Sequence, residues 1–431
     1  METARYRGDL TPTGDIAPFR VAAPEGLHPD AKRKLTDAGL EFLDEPARAQ
    51  ALIIRSKTNL LLPQAFTQFP DLMYVARAGV GVDNISMPHA SEAGVATVNT
   101  PGASTHAVAQ RVTAFILAWA ARIREGTEAL RDGRWPKGEL NVEPLDTTEK
   151  TLGIVGLGRI GRATQRLAGP FFGKVIYYDR DTIGDTSPTP LKQLMEEADV
   201  VSVNISGKDQ VLTREMLAHL KPGSLVVNTA RGTVIDLDTL LERMHEGVSA
   251  ALDVFPNEGK PDMFRTGTPE NPEETVTAKI ARHPRFLGTP HTAASDEVTQ
   301  KKLGLEAAER IIEFAHKGTV NAGNSAGHTL PAITLEKPPS ENGNGYHHEE
   351  TPPRSRVVTL HRSVKGASKR LDEIIAAHDV NIAQSVNAEG PHKLAMSLHD
   401  IDEVSIDVLV QILAALDQDP DVLKRRIIMN Q

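Results

Sequence analysis

The chain has 431 residues and a formal net charge of −9. Its length predicts roughly two to four domains, and its acidic balance argues against bulk binding to nucleic acid or anionic membranes. It contains no cysteine, which excludes disulfides, thiolate metal sites and a cysteine nucleophile, and no metal site is predicted. Because the N-terminal residues lack the apolar core of a signal peptide, and "TAFILAWAARI" is too short to cross a bilayer, we expect a cytoplasmic protein.

Apolar runs alternate with helical stretches along most of the chain, which predicts α/β architecture with parallel strands. In the N-terminal part, strands are predicted at "FRVAAPEGL", "ALIIRS" and "LMYVARAGVGVDN", and helices at "PDAKRKLTDAG" and "STHAVAQRVTAFILAWAARIREG". The alternation restarts at residue 151 and continues through the strands "DVVSVNI", "SLVVNTA" and "SAALDVF". We therefore expect two α/β units, the second of which begins near residue 104.

The composition changes after residue 327. Residues 328–354 are rich in Pro, Gly, Asn and charged residues, which predicts a flexible linker. The two histidines in its stretch "EKPPSENGNGYHHEETPPRS" are expected to be solvated rather than metal ligands. Residues 355–431 give the order strand, helix, strand, strand, helix, strand, the split βαβ pattern of a small ferredoxin-like domain.

A glycine-rich motif lies in the segment "TLGIVGLGRIGRATQRLAGPFFGKVIYYD" at residues 151–179. Gly156, Gly158 and Gly161 follow a predicted strand and open a helix, and Asp179 ends the next strand at the spacing of a dinucleotide-binding fingerprint. Gly156 permits the tight turn, and Gly158 lets the protein backbone approach a pyrophosphate. Gly161 lets the helix pack closely on the strand. The alternative is a tight strand–helix turn that binds no ligand.

The polar groups around this motif predict which dinucleotide binds. The helix N-terminus, with the N–H groups of Arg159 and Ile160, would hold the pyrophosphate. Asp179 would accept hydrogen bonds from the ribose hydroxyls, and its charge would repel a 2′-phosphate, so NAD is favoured over NADP. The neighbouring Arg180 weakens that preference slightly.

Polar side chains also follow three later strands. Arg231 lies in "VVNTARGTVID", Asp253 and Glu258 in "ALDVFPNEG", and His291 in "GTPHTAASDE". Ligands bind at the carboxyl ends of parallel strands, so these loops can converge on the cofactor. A guanidinium binds a carboxylate, a histidine transfers a proton near neutral pH, and a carboxylate beside it favours the imidazolium. The set suits hydride transfer to a 2-oxo acid, although each residue alone also fits a surface role.

The chain resembles the D-isomer-specific 2-hydroxyacid dehydrogenases over nearly its whole length. The resemblance rests on the order and spacing of six motifs: "RAGVGVDNI", "VNTPG", "GIVGLGRIG", "KPGSLVVNTARGTVID", "AALDVFPNE" and "TPH". Within that family the resemblance is strongest to the D-3-phosphoglycerate dehydrogenases that carry a C-terminal ACT domain. It implies a Rossmann-like nucleotide domain at residues 104–295, inserted into a Rossmann-like substrate domain at 1–103 and 296–327. It also implies an active site in the cleft between these domains, and an ACT-like regulatory domain at 355–431.

The resemblance assigns roles to the polar loops. Arg231 would bind the substrate carboxylate and carbonyl oxygen, His291 would be the acid/base, and Glu258 its carboxylate partner. Asp253 would lie near the nicotinamide carboxamide, and Ala230 would contact the cofactor. The implied reaction reduces a 2-oxo acid with NADH, or oxidises the D-2-hydroxy acid.

The resemblance also implies a substrate-binding loop at "AGVG". The N–H groups of Ala78, Gly79, Val80 and Gly81 would form a nest for the substrate carboxylate, as glycine-rich geometry itself suggests. Asn84 would support that loop.

The substrate is left open by the pair Arg55 and Lys57 in "IIRSKT". Two residues apart on a strand end, they point to one side, and could hold a phosphate as the comparable loop does in phosphoglycerate enzymes. The other reading is a solvated strand end, with an unphosphorylated acid such as glycerate, glyoxylate or 2-oxoglutarate as substrate. A third hypothesis, from another class, is an NAD(H)-sensing scaffold resembling a corepressor.

The ACT-like domain departs from serine-sensing versions at its ligand turn. Gly366 is kept, but Ser363 and Lys365 replace the usual Asn and Pro, so we expect weakened or altered serine regulation. The alternative is a dimerisation module without a ligand, and Asn381 is read as a turn or interface residue. The resemblance implies a homodimer or homotetramer.

Overall fold

The computed structural model describes residues 6–141, 146–180, 187–266, 274–320 and 355–430. The predicted linker at 328–354 lies outside the described residues. The strands are β1 (Tyr6–Leu10), β2 (Ile16–Ala17), β3 (Arg20–Ala22), β4 (Glu41–Leu43), β5 (Ala51–Ile54), β6 (Tyr74–Arg77), β7 (Ala96–Asn99), β8 (Thr151–Val155), β9 (Lys174–Tyr178), β10 (Val200–Val203), β11 (Leu225–Asn228), β12 (Ser249–Leu252), β13 (Phe286–Gly288), β14 (Ser355–Arg362), β15 (Ile382–Glu389), β16 (Leu394–Ile401) and β17 (Val422–Asn430). The α-helices are α1 (Pro29–Asp37), α2 (Pro63–Thr67), α3 (Met87–Glu92), α4 (Thr105–Ala120), α5 (Ile123–Arg131), α6 (Arg159–Ala168), α7 (Leu191–Glu197), α8 (Arg214–Leu217), α9 (Leu237–His245), α10 (Val276–Arg282), α11 (Glu297–Lys317), α12 (Ala367–Ala376) and α13 (Ile406–Leu416).

The chain divides into two compact units. The first unit comprises Met1–Ala103 and Gln300–Gln431, and the second comprises Ser104–Thr299. The predicted domain boundaries at 295/296 and 327/328 stay predictions. No helix in the described part of the chain is long and apolar enough to cross a membrane.

The first unit contains a parallel five-stranded sheet in the order β4-β3-β5-β6-β7. The continuous apolar run of β5, whose four residues are all buried, is typical of a parallel strand covered on both faces. The strand order changes direction between β3 and β5. Crevices at the carboxyl ends of two such strands are where ligands bind in open α/β sheets.

The C-terminal part of the first unit forms an antiparallel sheet. Its strands and helices follow the order β14-α12-β15-β16-α13-β17, and with the two parallel sheets they confirm the predicted fold class. The sequence did not predict that β1 pairs with β17, and β2 with β1, so that the sheet order is β15-β16-β14-β17-β1-β2. The polar sequence "YRGDL" of β1 carries no period-2 apolar signal, and its partner lies at the opposite end of the chain.

One face of this antiparallel sheet shares an apolar core with the parallel sheet. The core joins Tyr74 of β6 and Phe314 of α11, stacked with ring centroids 4.5 Å apart, to buried side chains of β14, β16 and β17. Those side chains are Val358, Leu360, Leu394, Met396, Leu398 and Ile428. The opposite face of the sheet is covered by α12 and α13.

The second unit contains a parallel six-stranded sheet in the order β13-β12-β11-β10-β8-β9. Separate apolar clusters cover its two faces. One includes Leu194 of α7 and Leu240 of α9, and the other includes Val112 and Ile116 of α4. The strand order changes direction between β8 and β10, so the glycine-rich loop after β8 lies at the position where doubly wound sheets bind nucleotides.

Candidate active site

The glycine-rich loop of the second unit joins β8 to α6, and its glycines have different packing environments. Gly156 has φ +92°, and a Cβ there would lie 3.0 Å from the Asn204 carbonyl; a Cβ on Gly161 would lie 2.0 Å from the Gly156 carbonyl oxygen. An added Cβ on Gly158 would meet no atom of the described part of the chain within 4 Å. Protein packing therefore requires the first and third glycines. The second glycine leaves open space in which a pyrophosphate can approach the protein backbone.

The start of α6 and the end of β9 supply polar groups for a dinucleotide. Among the described residues no side chain caps α6, so the N–H groups of its first turn, at Arg159, Ile160 and Gly161, are available to an anion. Asp179 directly follows β9, and its Oδ2 accepts a hydrogen bond 2.7 Å long from the Leu157 N–H. The residues present therefore fit a dinucleotide, with the carboxylate held against the glycine-rich loop.

Arg231 follows β11 in a loop that Asn228 closes. The Asn228 side chain donates to the Arg231 carbonyl (2.8 Å) and accepts from the Ala230 N–H (2.9 Å). The Arg231 guanidinium donates to the Ala230 carbonyl over 2.7 Å. A Cβ on Gly232 would lie 2.0 Å from the Phe255 carbonyl carbon, so this glycine lets the Arg231 loop lie directly against the loop after β12. Both main-chain groups of Ala230 are thus used within the loop, and its contact with the cofactor stays a prediction.

His291 and Glu258 form a hydrogen-bonded pair. The Nδ1–H of His291 donates to Glu258 Oε2 over 2.6 Å, and Glu258 Oε1 accepts from the Phe255 N–H at 2.9 Å. The hydrogen bond from Glu258 raises the pKa of His291 above its ordinary value, although burial acts in the opposite direction. Burial raises the pKa of Glu258, but hydrogen bonds from His291 and Phe255 outweigh it, so the net pKa is lowered. The pair therefore favours a carboxylate beside an imidazolium.

Asp253 holds the loop that carries His291. Its buried carboxylate accepts from the Thr289 hydroxyl and from the N–H groups of Thr292 (2.9 Å) and Ala293 (3.2 Å). The Asp253 carbonyl accepts from the His291 N–H at 2.7 Å, while His291 adopts a left-handed φ of +52°. These bonds position His291, and a contact between Asp253 and the nicotinamide stays a prediction.

In the first unit, the predicted carboxylate nest has fewer available N–H groups than expected. The N–H of Ala78 donates to the Ile54 carbonyl, and the N–H of Gly79 donates to the Thr100 hydroxyl at 2.7 Å. Both groups are therefore unavailable to a substrate. Among the described residues, the N–H groups of Val80 and Gly81 have no acceptor, so only these two N–H groups are left to bind an anion.

Asn84 also differs from its predicted role, because it supports the loop after β5 rather than "AGVG". Its amide donates to the carbonyls of Arg55 and Thr58, each over 2.6 Å. The Arg55 and Lys57 side chains make no hydrogen bond or ion pair with any described residue. Both residues follow Ile54, the last residue of β5, so the alternation of a strand, from which the sequence analysis placed them on one side, does not apply to them. The loop after β5 therefore presents two cations that have no partner among the described residues.

Residues 113–293 match the family model described as D-isomer specific 2-hydroxyacid dehydrogenase, NAD binding domain. The hydroxypyruvate reductase of Thermotoga maritima is 33% identical over 319 residues, which cover 72% of this chain and 98% of that protein. The chain belongs to the D-isomer-specific 2-hydroxyacid dehydrogenase family. This dehydrogenase is therefore an NAD(P)-dependent oxidoreductase acting on 2-hydroxy acids, and its second unit carries the NAD-binding domain.

Two further comparisons agree with this family. D-3-phosphoglycerate dehydrogenase 2 of Saccharomyces cerevisiae is 27% identical over 388 residues, covering 88% of this chain and 78% of that protein. Among solved structures, the TT0316 protein of Thermus thermophilus is 30% identical and covers 71% of this chain and 99% of that chain, with a TM-score of 0.59. The relatives thus share the dehydrogenase fold while their names give different substrates.

The C-terminal turn of the dehydrogenase lies between β14 and α12. Gly366 has φ +84° at the start of α12, and the Ser363 N–H donates to the Lys393 carbonyl at 2.8 Å. Asn381 directly precedes β15, and its amide donates to the Asp402 carboxylate over 2.7 Å; its role as a turn or interface residue stays a prediction. Serine regulation through this turn stays a prediction.

Four side chains that shape these loops were not predicted from the sequence. Asn99 donates to the Val80 carbonyl at 2.6 Å, Thr100 binds Gly79, Asn228 closes the Arg231 loop, and Glu25 binds the loop after β5. Each lies at or just beyond the end of a buried parallel strand. A polar residue ending an apolar run was the available signal, but its partner lies on another loop and is invisible to local pattern.

Proposed function

We propose that the chain is an NAD-dependent D-3-phosphoglycerate dehydrogenase, which oxidises 3-phosphoglycerate to 3-phosphohydroxypyruvate as the first step of L-serine biosynthesis. The observation that supports this substrate is the pair of cations Arg55 and Lys57, which have no partner among the described residues and lie on a loop whose backbone is fixed by hydrogen bonds. Two adjacent cations suit a phosphoryl dianion, which an unphosphorylated acid lacks.

In the proposed reaction, four groups of the chain act on the substrate: two main-chain N–H groups, a guanidinium and an imidazolium. In the first unit, the N–H groups of Val80 and Gly81 bind an anionic group of the substrate. In the second unit, Arg231 binds a substrate carboxylate and stabilises the developing oxyanion. The imidazolium of His291 gives its proton to the carbonyl oxygen during reduction and takes it back during oxidation. A bound nicotinamide supplies or accepts the hydride at the substrate carbon.

The preference for NAD over NADP rests on Asp179. Its carboxylate follows β9 and is fixed at 2.7 Å from the Leu157 N–H. A negative charge held beside the ribose position favours two hydroxyls and repels a 2′-phosphate. We expect the KM for NADPH to exceed that for NADH, and Asp179→Ala to reduce the difference.

An unphosphorylated acid is the second candidate substrate. It is favoured by the similarity to the Thermotoga maritima protein named hydroxypyruvate reductase. In that case Arg55 and Lys57 would be solvated surface residues, and their substitution would leave turnover unchanged.

Following NADH absorbance with a panel of oxo acids separates these candidates. We expect the highest kcat/KM with 3-phosphohydroxypyruvate and lower values with hydroxypyruvate, glyoxylate, pyruvate and 2-oxoglutarate, each measured with and without L-serine. Arg55→Ala should raise the KM for the phosphorylated substrate alone. In the same assay His291→Ala should lower turnover by about 10²–10⁴-fold while NADH binding persists. Turnover confined to unphosphorylated acids would contradict the proposed substrate.

We also propose a homodimer or homotetramer. Three apolar side chains on and after α5 are largely exposed in this chain: Ile123 (57%), Leu130 (57%) and Trp135 (80%). Ile123 and Leu130 are seven residues apart on α5 and therefore lie on one face of that helix, and exposed apolar side chains that share a face are typical of an interaction surface. Light scattering of the purified protein measures the assembly directly.

A further inference from the structure

Glu25 lies in the loop directly after β3 and binds the loop directly after β5. Its Oε1 accepts from the N–H groups of Arg55 (2.7 Å) and Thr58 (2.9 Å), and its Oε2 accepts from the N–H of Lys57 (3.0 Å). One carboxylate thus holds three N–H groups of a four-residue turn. Hydrogen bonds to an ionised acceptor are about twice as strong as neutral ones, so this turn is fixed more firmly than an ordinary surface loop.

The carbonyl groups of the same turn are fixed from Asn84. Its side-chain amide donates to the main-chain carbonyls of Arg55 and Thr58, and its main-chain carbonyl accepts from the Leu60 N–H at 2.8 Å. The main-chain groups of the turn are therefore bound by two side chains that come from distant parts of the sequence. We name residues 55–58 the cation turn.

The chemistry of this contact is unusual, because a carboxylate beside two cations ordinarily pairs with them. Glu25 instead directs both oxygens to backbone N–H groups, and the guanidinium of Arg55 and the ammonium of Lys57 have no partner among the described residues. The two charges are thereby left for a ligand. The cation turn also lies at the carboxyl end of β5, where the strand order changes direction between β3 and β5, the position at which open α/β sheets bind ligands.

We propose that Glu25 is a positioning residue that holds the cation turn in the conformation that binds a phosphoryl dianion, and so sets the selectivity for phosphorylated over unphosphorylated acids. This inference rests on the proposed function and deepens it. Arg55 and Lys57 supply the charge, whereas Glu25 and Asn84 supply the fixed backbone from which both cations project. Pre-organisation of this kind lowers the entropic cost of binding the phosphoryl group.

The ionisation state of Glu25 agrees with this role. Burial raises its pKa, but the N–H groups of Lys57, Thr58 and Arg55 lower it by more, so the net pKa lies below the ordinary value. Glu25 therefore stays a carboxylate at neutral pH and binds the turn in its charged form.

Glu25→Gln tests the proposal because two roles predict opposite results. A glutamine has one acceptor oxygen and cannot bind all three N–H groups, so the cation turn loosens. If Glu25 acted only through its charge, its removal would strengthen phosphate binding and lower the KM for 3-phosphohydroxypyruvate. A positioning role predicts that this KM rises by about tenfold, the equivalent of losing one charge-assisted hydrogen bond, while kcat and the KM for hydroxypyruvate stay unchanged.

The matched control is Glu45→Gln, which removes the same charge from an exposed side chain that makes no capping hydrogen bond. It should leave both KM values unchanged. If circular dichroism shows that Glu25→Gln does not fold, Asn84→Ala provides a second variant. It should likewise raise the KM for 3-phosphohydroxypyruvate and leave the KM for hydroxypyruvate unchanged. Competitive inhibition by inorganic phosphate, measured against the oxo acid, should weaken in both variants of the turn.

The outcomes separate the two proposals. If the wild-type protein shows no preference for the phosphorylated acid, the proposed substrate and this inference are both wrong. If it has that preference and Glu25→Gln keeps or increases it, the proposed function stands and the positioning role is overturned. Equal losses on phosphorylated and unphosphorylated acids would also overturn it, because they indicate general damage to the unit.

Discussion

At the scale of single residues, the chemistry depends on how His291 is held. Its imidazole is bound by Glu258 at 2.6 Å, and its main chain is bound by Asp253 in a left-handed conformation that L-residues adopt at a cost. Asp253 and Glu258 thus fix the backbone and the ring separately. A histidine fixed in both ways presents its Nε2 in one direction, which is what proton transfer to a substrate oxygen requires.

The pH dependence of the reaction should follow from the Glu258 contact. Reduction needs the imidazolium, so its rate is full below the pKa of His291 and falls as pH rises through it. Glu258 raises that pKa; Glu258→Gln should therefore move the alkaline fall of kcat/KM to lower pH. The measurement is a pH profile in the reduction direction, with Glu215→Gln, an exposed side chain on α8 of the same unit, as control. A profile that does not move would contradict the assigned partnership.

The residue scale also shows which site features sequence can predict. The spacing of Gly156, Gly158 and Asp179 is local, and each residue lies where the pattern predicts. The use of the N–H groups of "AGVG" is not local, because Ile54 and Thr100 from neighbouring strands decide which remain available. Sequence pattern therefore identifies a binding loop, whereas cross-strand contacts determine which of its atoms can bind.

At the scale of elements, β1 is the least predictable part of the fold. It extends the C-terminal sheet through β17, and the contact is fixed by a buried ion pair between Asp9 and Arg426. Arg426 also donates to the carbonyls of Phe314 (3.3 Å) and Ala315 (2.6 Å) near the end of α11, and lies over the ring of Phe19. The sequence pattern did not indicate this pairing, since the two strands are separated by about the whole chain and β1 is too polar to show alternation.

Arg426→Met tests the importance of that contact. The change keeps much of the volume but leaves the buried Asp9 carboxylate without its cation, and breaking such a pair costs about 3–5 kcal/mol. We expect a lower melting temperature of the first unit and faster hydrogen exchange in β1 and β17. Arg425→Met is the neighbouring control, because its partner Asp417 is half-exposed and surface pairs contribute about 0–1 kcal/mol. Equal effects of the two changes would show that the buried pair is unimportant.

At the scale of the whole molecule, the two units differ in how their cores are built. The second unit covers both faces of its sheet with residues from one continuous stretch. The first unit joins the two ends of the chain, since its core combines the parallel sheet with one face of the C-terminal sheet. The C-terminal sheet thereby completes the core of the first unit, while the boundary at 327/328 implied by the family resemblance stays a prediction.

A chain that ends at Val320 should therefore lose more than a regulatory segment. Removal of the C-terminal sheet takes six buried side chains from the shared core: Val358, Leu360, Leu394, Met396, Leu398 and Ile428. Each contributes about 1.5–3 kcal/mol, and their sum is on the order of 10 kcal/mol, comparable to the whole stability of a domain. We expect the truncated chain to bind a hydrophobic dye and to aggregate.

The control for truncation is the full chain cut at a protease site inserted between residues 328 and 354. The same covalent connection is lost, but the apolar face stays available, so the two fragments should remain together through gel filtration and keep the melting temperature of the intact protein. Because the shared core and the β1–β17 ladder hold the C-terminal sheet without the peptide bond, truncation and cleavage should differ sharply. A truncated chain that stays monomeric, binds no dye and melts like the full protein would show that the C-terminal sheet is a detachable module.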